Sequence, residues 1–104
     1  MTKELIKKII EDRWKILGQH STYRTICLDF KRAYPEMNLR ESTIERFVRK
    51  LAQENKIIRI YPPKGDVVFI PNVPKFELND YLKRKGWYMM NADHIYEPVE
   101  IKEW

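Results

Sequence analysis

The sequence predicts an α+β fold: a three-helix core, a β-hairpin, then a C-terminal helix with an extension. Three observations carry this. Apolar residues recur at three- and four-residue steps over 2–17, 22–34 and 40–54. After Asn55 the pattern changes to two short runs rich in β-branched and aromatic residues, set about a Pro/Gly turn. Helical spacing then returns over 75–85. With 104 residues, the chain is organised as 1–71, the three helices and hairpin, and 72–104, the last helix and an aromatic, acidic extension.

In the first helix Leu5, Ile6, Ile9, Ile10, Ile16 and Leu17 form the apolar stripe, with Trp14 alongside. Thr2 is the expected N-cap, and Gly18 stands where a left-handed C-terminal residue is wanted. The second helix carries Tyr23, Ile26, Cys27, Phe30 and Tyr34 on one side. Ser21 or Thr22 can cap it, and Pro35 stops it, because the residue before a proline is pushed out of the helical region. The third helix seats Ile44, Phe47, Val48 and Leu51. Asn55 follows it as the residue best able to replace glycine in a left-handed cap.

Lys56–Tyr61 and Val67–Ile70 read as hairpin strands around Pro62-Pro63-Lys64-Gly65-Asp66. Two strands alone are marginal, so the hairpin must pack on helices. Pro71 to Pro74 reads as a connector that ends the second strand. The fourth helix places Leu78, Tyr81 and Leu82 on one side, crowds Lys83, Arg84 and Lys85 at its C-terminal end and closes at Gly86. Asn91 to His94 reads as a turn, and 87–104 as a second hairpin or an extended arm.

Composition excludes several classes. One cysteine, Cys27, cannot make an internal disulfide, and on an apolar stripe it reads as a small buried hydrophobe. Cys27, His20 and His94 are too few and too scattered for a zinc site, so no metal is expected. Both histidines fall in predicted turns, where a solvated imidazole is the default. No apolar run approaches a membrane span and no signal-peptide pattern opens the chain, which gives a cytoplasmic expectation. There is no Gly-rich phosphate loop, no His-Glu metal spacing and no nucleophile beside a base. Neither an enzyme nor a cofactor is therefore expected.

Charge points to a polyanion. The net charge is +5, from 20 basic and 15 acidic residues, and it is unevenly spread. Residues 1–70 hold 15 Lys and Arg against 9 Asp and Glu, whereas 71–104 hold 5 against 6. At about 100° per residue, Ser42, Arg46, Arg49 and Gln53 fall opposite the apolar side of the third helix. A major groove about 12 Å wide admits one such helix, provided its outer face carries donors. The candidate base readers are Ser42, Thr43 and Arg46, near the end that reaches base edges, with Arg46 able to fork onto guanine. Arg40, Arg49 and Lys50 are candidate phosphate contacts. Tyr23 and Arg24 join them at the start of the second helix, where anions are attracted. Arg59 on the hairpin strand and Lys64 at its tip complete the backbone set. Glu41 and Glu45 oppose simple backbone attraction; they can accept from cytosine, orient an arginine, or stand as solvated helix charges.

The stretch LRESTIERFVRKLAQENKIIRI, residues 39–60, resembles the recognition-helix and first-wing-strand segment of winged helix-turn-helix transcription regulators. An apolar residue precedes the helix, Ser and Thr open it, an apolar face seats it, and Asn55 turns the chain into the wing. The resemblance covers roughly 3–71. It implies sequence-specific binding of double-stranded DNA, with helix 40–54 in the major groove and the 62–66 tip on the minor groove or adjacent backbone. Two departures stand out: the turn before the third helix lacks glycine, and Asn55 stands where glycine is commoner. Residues 72–104 match no part of the minimal domain. A homodimer through 75–104 is the expected use of them. The alternative is an adaptor module that binds protein through Trp87, Tyr88, Met89, Met90, Tyr96 and Trp104.

Overall fold

The computed structural model describes residues 1–62 and 64–87. Readings that fall on 88–104, including the Asn91–His94 turn, His94, the extended arm and most of the aromatic cluster, lie outside the described residues. The order is α1 (Thr2–Asp12, continued by a π-helical turn Arg13–Leu17), β1 (Ser21–Thr22), α2 (Tyr23–Ala33), α3 (Glu41–Gln53), β2 (Ile57–Ile60), β3 (Val68–Pro71) and α4 (Lys75–Lys85). The architecture is α+β, with four helices and a three-stranded antiparallel sheet in the order β1-β3-β2.

The helix ends follow local chemistry. Met1, not Thr2, caps α1: its carbonyl accepts from the Glu4 and Leu5 amides, and Thr2 is already helical. Gly18 closes the π-helical turn with φ +65° and donates to the Trp14 carbonyl. Thr22 caps α2 reciprocally: its Oγ1 accepts from the Thr25 amide at 3.2 Å, and its own amide donates to Thr25 Oγ1 at 2.8 Å. Pro35–Met37 form a single tight turn, and Asn38 takes the left-handed conformation (φ +48°). Asn38 therefore supplies the reversal that a glycine would otherwise make before α3. At the far end of α3, Asn55 has φ +61°; its amide bonds to Ala52 and that of Lys56 to Leu51, the paired bonds of a Schellman ending. Gly86 and Trp87 repeat that ending on α4.

One strand was not foreseen. Ser21 and Thr22 pair with Phe69 and Val68, so the residue that caps α2 is also the end of a strand. Its extended backbone (φ −116°, ψ 170°) serves both roles. The hairpin pairs Ile57 with Pro71 through Ile60 with Val68. Pro71 thus ends β3 instead of opening the connector. β1 stops short of it, so on that side its missing N–H leaves no gap in the ladder.

The sheet is buried on both faces. Ile57 and Phe69 join Ile6, Ile10, Ile26, Phe30, Ile44, Val48 and Leu51 in the core among α1, α2 and α3. Ile58, Ile60, Val68 and Ile70 point the other way and pack with Val73, Leu78 and Leu82, with Trp14 and Trp87 against them. The hairpin is therefore a middle layer between the three helices and α4. Among the described residues, no helix is long and apolar enough to cross a membrane.

Candidate nucleic-acid interface

The apolar side of α3 fixes the direction of its polar side. Ile44, Val48 and Leu51 are fully buried, and Ala52 nearly so. Ser42, Arg46, Arg49, Lys50 and Gln53 are consequently exposed, with Thr43 half-buried at the edge. Arg46 and Lys50, one turn apart, line with Phe47 an open groove of about 560 Å³ whose far wall is Met1, Thr2 and Lys3. The wall from α1 was not foreseen, because only packing brings Met1–Lys3 beside α3. Lys3 itself is held by Glu54 at 3.0 Å, a bond that also keeps the Glu54 carboxyl below its ordinary range.

The ion pairs divide the cations into two groups. Lys3, Lys7, Lys8, Arg13, Lys31, Arg32 and Lys56 each have an acidic partner within 4.0 Å. Arg24, Arg40, Arg46, Arg49, Lys50, Arg59 and Lys64 have none among the described residues. Every candidate backbone or base-reading cation is in the second group. The glutamates of α3 do not neutralise them: Glu41 is taken by Lys31 of α2 at 3.4 Å and orients no arginine. The second group also includes Lys15 and the end of α4, where Arg84 and Lys85 lie over the Tyr81 ring at 5.1 and 5.7 Å.

The other candidate residues divide between open surface and core. Arg24 is exposed at the start of α2, and Arg40 is exposed just before α3. Tyr23 packs its ring edge-on against Phe69 at 5.0 Å and is half-buried, so it belongs to the core at least as much as to the surface. Arg59 does not lie open on the wing. It opposes Phe69, on the sheet face turned towards the three helices, and its Nε is buried without a partner. Lys64 is exposed beside Gly65, whose φ of +94° makes the turn.

His20 is not a solvated imidazole. Its Nδ1 lies 2.6 Å from the Tyr81 hydroxyl, and that hydroxyl also accepts from the His20 amide at 3.2 Å. The Trp87 ring is 6.0 Å away, and Trp14 packs on Tyr81 at 4.8 Å while its Nε1 donates to Glu77. Burial, reinforced by the positive charges of Lys85 and Arg13, pushes the His20 pKa below its ordinary value; burial raises that of Tyr81. No sequence signal marks this cluster, since His20 and Tyr81 are separated by 61 positions. Cys27 is buried as expected; burial, with Glu41 and Glu45 nearby, pushes its thiol up, away from reactivity. Among the described residues, no group of three or more His, Cys, Asp or Glu side chains could hold a metal ion.

Compared with known proteins, the chain matches no family model, and no curated protein or solved structure matches it significantly.

Proposed function

We propose that this protein is a winged helix-turn-helix protein that binds double-stranded DNA sequence-specifically, as a transcription regulator does. The observation that carries the reading is the segregation of charge: the outward side of α3 and its neighbours present cations with no acidic partner among the described residues, while the cations of α1 are largely paired. A helix face of unneutralised arginines costs self-repulsion unless an anion relieves it. The element order and the sheet order β1-β3-β2 fit the frame that the resemblance over 39–60 implies. In this reading α3 enters the major groove with Ser42, Thr43 and Arg46 towards base edges. Arg24, Arg40, Arg49 and Lys50 hold phosphates on either side, and Lys64 touches the duplex from the wing. Tyr23 contributes through its hydroxyl while its ring stays in the core.

A fluorescence-anisotropy titration with mixed-sequence duplexes tests this, followed by selection of bound sequences from a random pool. Binding at low salt that sharpens to a common motif is the expected result. Absence of binding even at low salt would refute it.

A further inference from the structure

The grooves among the described residues differ in the charge they leave unpaired. In the groove of about 350 Å³ between α1 and α2, Arg13 and Arg32 share Asp29, and Asp12 is held by Lys8. A groove of about 360 Å³ beside Asn55 carries Glu4 and Glu11 together with Lys7 and Lys56. In a third, of about 280 Å³ beside Tyr34, Lys31 is taken by Glu41. The groove of about 560 Å³ between α1 and α3 is different. Met1 and Phe47 are its apolar lining, and Arg46 and Lys50 line it with no acidic partner among the described residues. Arg40 and Arg49, exposed and likewise unpaired, extend the positive charge along α3. Against these four cations α3 sets one unpaired carboxylate, half-buried Glu45, since Glu41 and Glu54 are engaged by lysines.

A segment of matching chemistry belongs to the same chain. Residues 88–104 hold Asp93, Glu97, Glu100 and Glu103 against Lys102, a net charge of −3. Apolar residues are interleaved with these carboxylates: Ile95, Tyr96, Val99, Ile101 and Trp104. Such a segment suits a groove that joins unpaired cations to apolar side chains. The carboxylates beside Asn55 repel it, and the arginines lining the α1–α2 groove already share Asp29. Reach does not limit it. The segment starts after Trp87, just beyond α4, and its 17 residues span about 55 Å when extended, against a longest molecular dimension of 42 Å. A tethered segment is present at an effective concentration on the order of millimolar, so even a weak site is populated.

We infer that the groove between α1 and α3 receives the chain's own acidic segment, residues 93–103, which competes with DNA for Arg46 and Lys50. The competition rests on the DNA-binding reading above; the docking rests on groove and charge alone. Duplex affinity is then lowered by the fraction of molecules in which the groove is free. Salt releases the segment by screening the same charges, so its effect is largest at low ionic strength.

Zero-length carbodiimide coupling on the full chain, without DNA, reads the docking, because it joins a carboxylate to a lysine amine only where they touch. At low salt, peptide mapping should find Lys50 joined to Asp93, Glu97, Glu100 or Glu103. A mixture of isotopically light and heavy chains should place both ends in one chain, and Arg46→Gln should reduce the product. The Lys3–Glu54 pair, in contact at 3.0 Å, is the internal control. A missing Lys50 product overturns the inference, whether the segment couples to Lys83 and Lys85, to Lys15 or to nothing; so does a product formed only between chains. Duplex titration reads the competition. Glu97→Gln with Glu100→Gln should raise affinity about tenfold at low salt. Glu4→Gln with Asp80→Asn, the same change of net charge at exposed carboxylates outside the segment, should raise it far less. Equal gains from the two pairs assign the effect to net charge and overturn the competition. If no variant binds duplex, the DNA-binding reading fails, and the Lys50 product still decides the docking.

Discussion

Arg46 and Lys64 separate two kinds of contact. Arg46 stands near the middle of the outward side of α3, diametrically away from Ile44, Val48 and Leu51. In the proposed complex its guanidinium can fork onto one base, a pairing worth about 1–3 kcal/mol of discrimination. Arg46→Ala is expected to relax preference at one position of the selected motif. Lys64→Ala is expected to weaken binding alike on every sequence, because a phosphate contact carries no sequence information. Competition titrations with matched and mismatched duplexes distinguish the two. His20 makes a different prediction. Its pKa lies below the ordinary 6.5 in the folded chain, so between that value and the depressed one the unfolded chain binds more protons. Stability is therefore fully kept above pH 6.5 and falls as the pH drops through the window below it. His20→Gln should flatten that part of a melting-temperature profile against pH. A decline of the same size in the variant would assign it to the carboxylates instead.

Among the elements, α4 is the one whose role packing decides. Its Leu78 and Leu82 cover the face of the hairpin formed by Ile58, Ile60, Val68 and Ile70. Leu78→Ala opens a cavity in that layer and is expected to cost about 2–5 kcal/mol in denaturant unfolding, as for other buried leucines. An α4 that merely decorated the fold would lose well under 1 kcal/mol, as surface substitutions usually do. The helices were legible in the sequence because each has a continuous apolar side and chemically marked ends: Gly18, Pro35, Asn55 and Gly86 all end or cap elements as their chemistry requires. β1 was not legible. Two residues carry no periodicity, and Thr22 already had a complete explanation as a cap. Asn38 shows the same limit from the other side, since a turn without glycine looks like a departure until its left-handed asparagine is seen. For the candidate interface, helical geometry placed Ser42, Arg46, Arg49 and Gln53 outward correctly. It could not place Arg59, whose side follows from strand register, or the α1 wall of the Arg46 groove, which follows from tertiary packing.

For the molecule as a whole, charge sets the response to salt. If about five of the unpaired cations meet phosphates, the logarithm of the DNA association constant should fall against the logarithm of salt with a slope near −4 to −5. A slope near zero would remove the phosphate contacts from the proposal even if some binding remained. The paired cations on α1 should contribute little to that slope, because Glu11 and Asp12 already neutralise Lys7 and Lys8.

The doubly covered sheet has a consequence for how this chain can vary. A strand with one wet side accepts polar replacements at every second residue, and its sequence drifts with that rhythm. β2 and β3 have apolar neighbours above and below. Along Ile57–Ile60 and Val68–Pro71 only half-buried Arg59 escapes full enclosure, so odd and even positions are almost equally intolerant. Variation has to be taken up outside these strands, on the water-facing sides of the helices and in the hairpin tip.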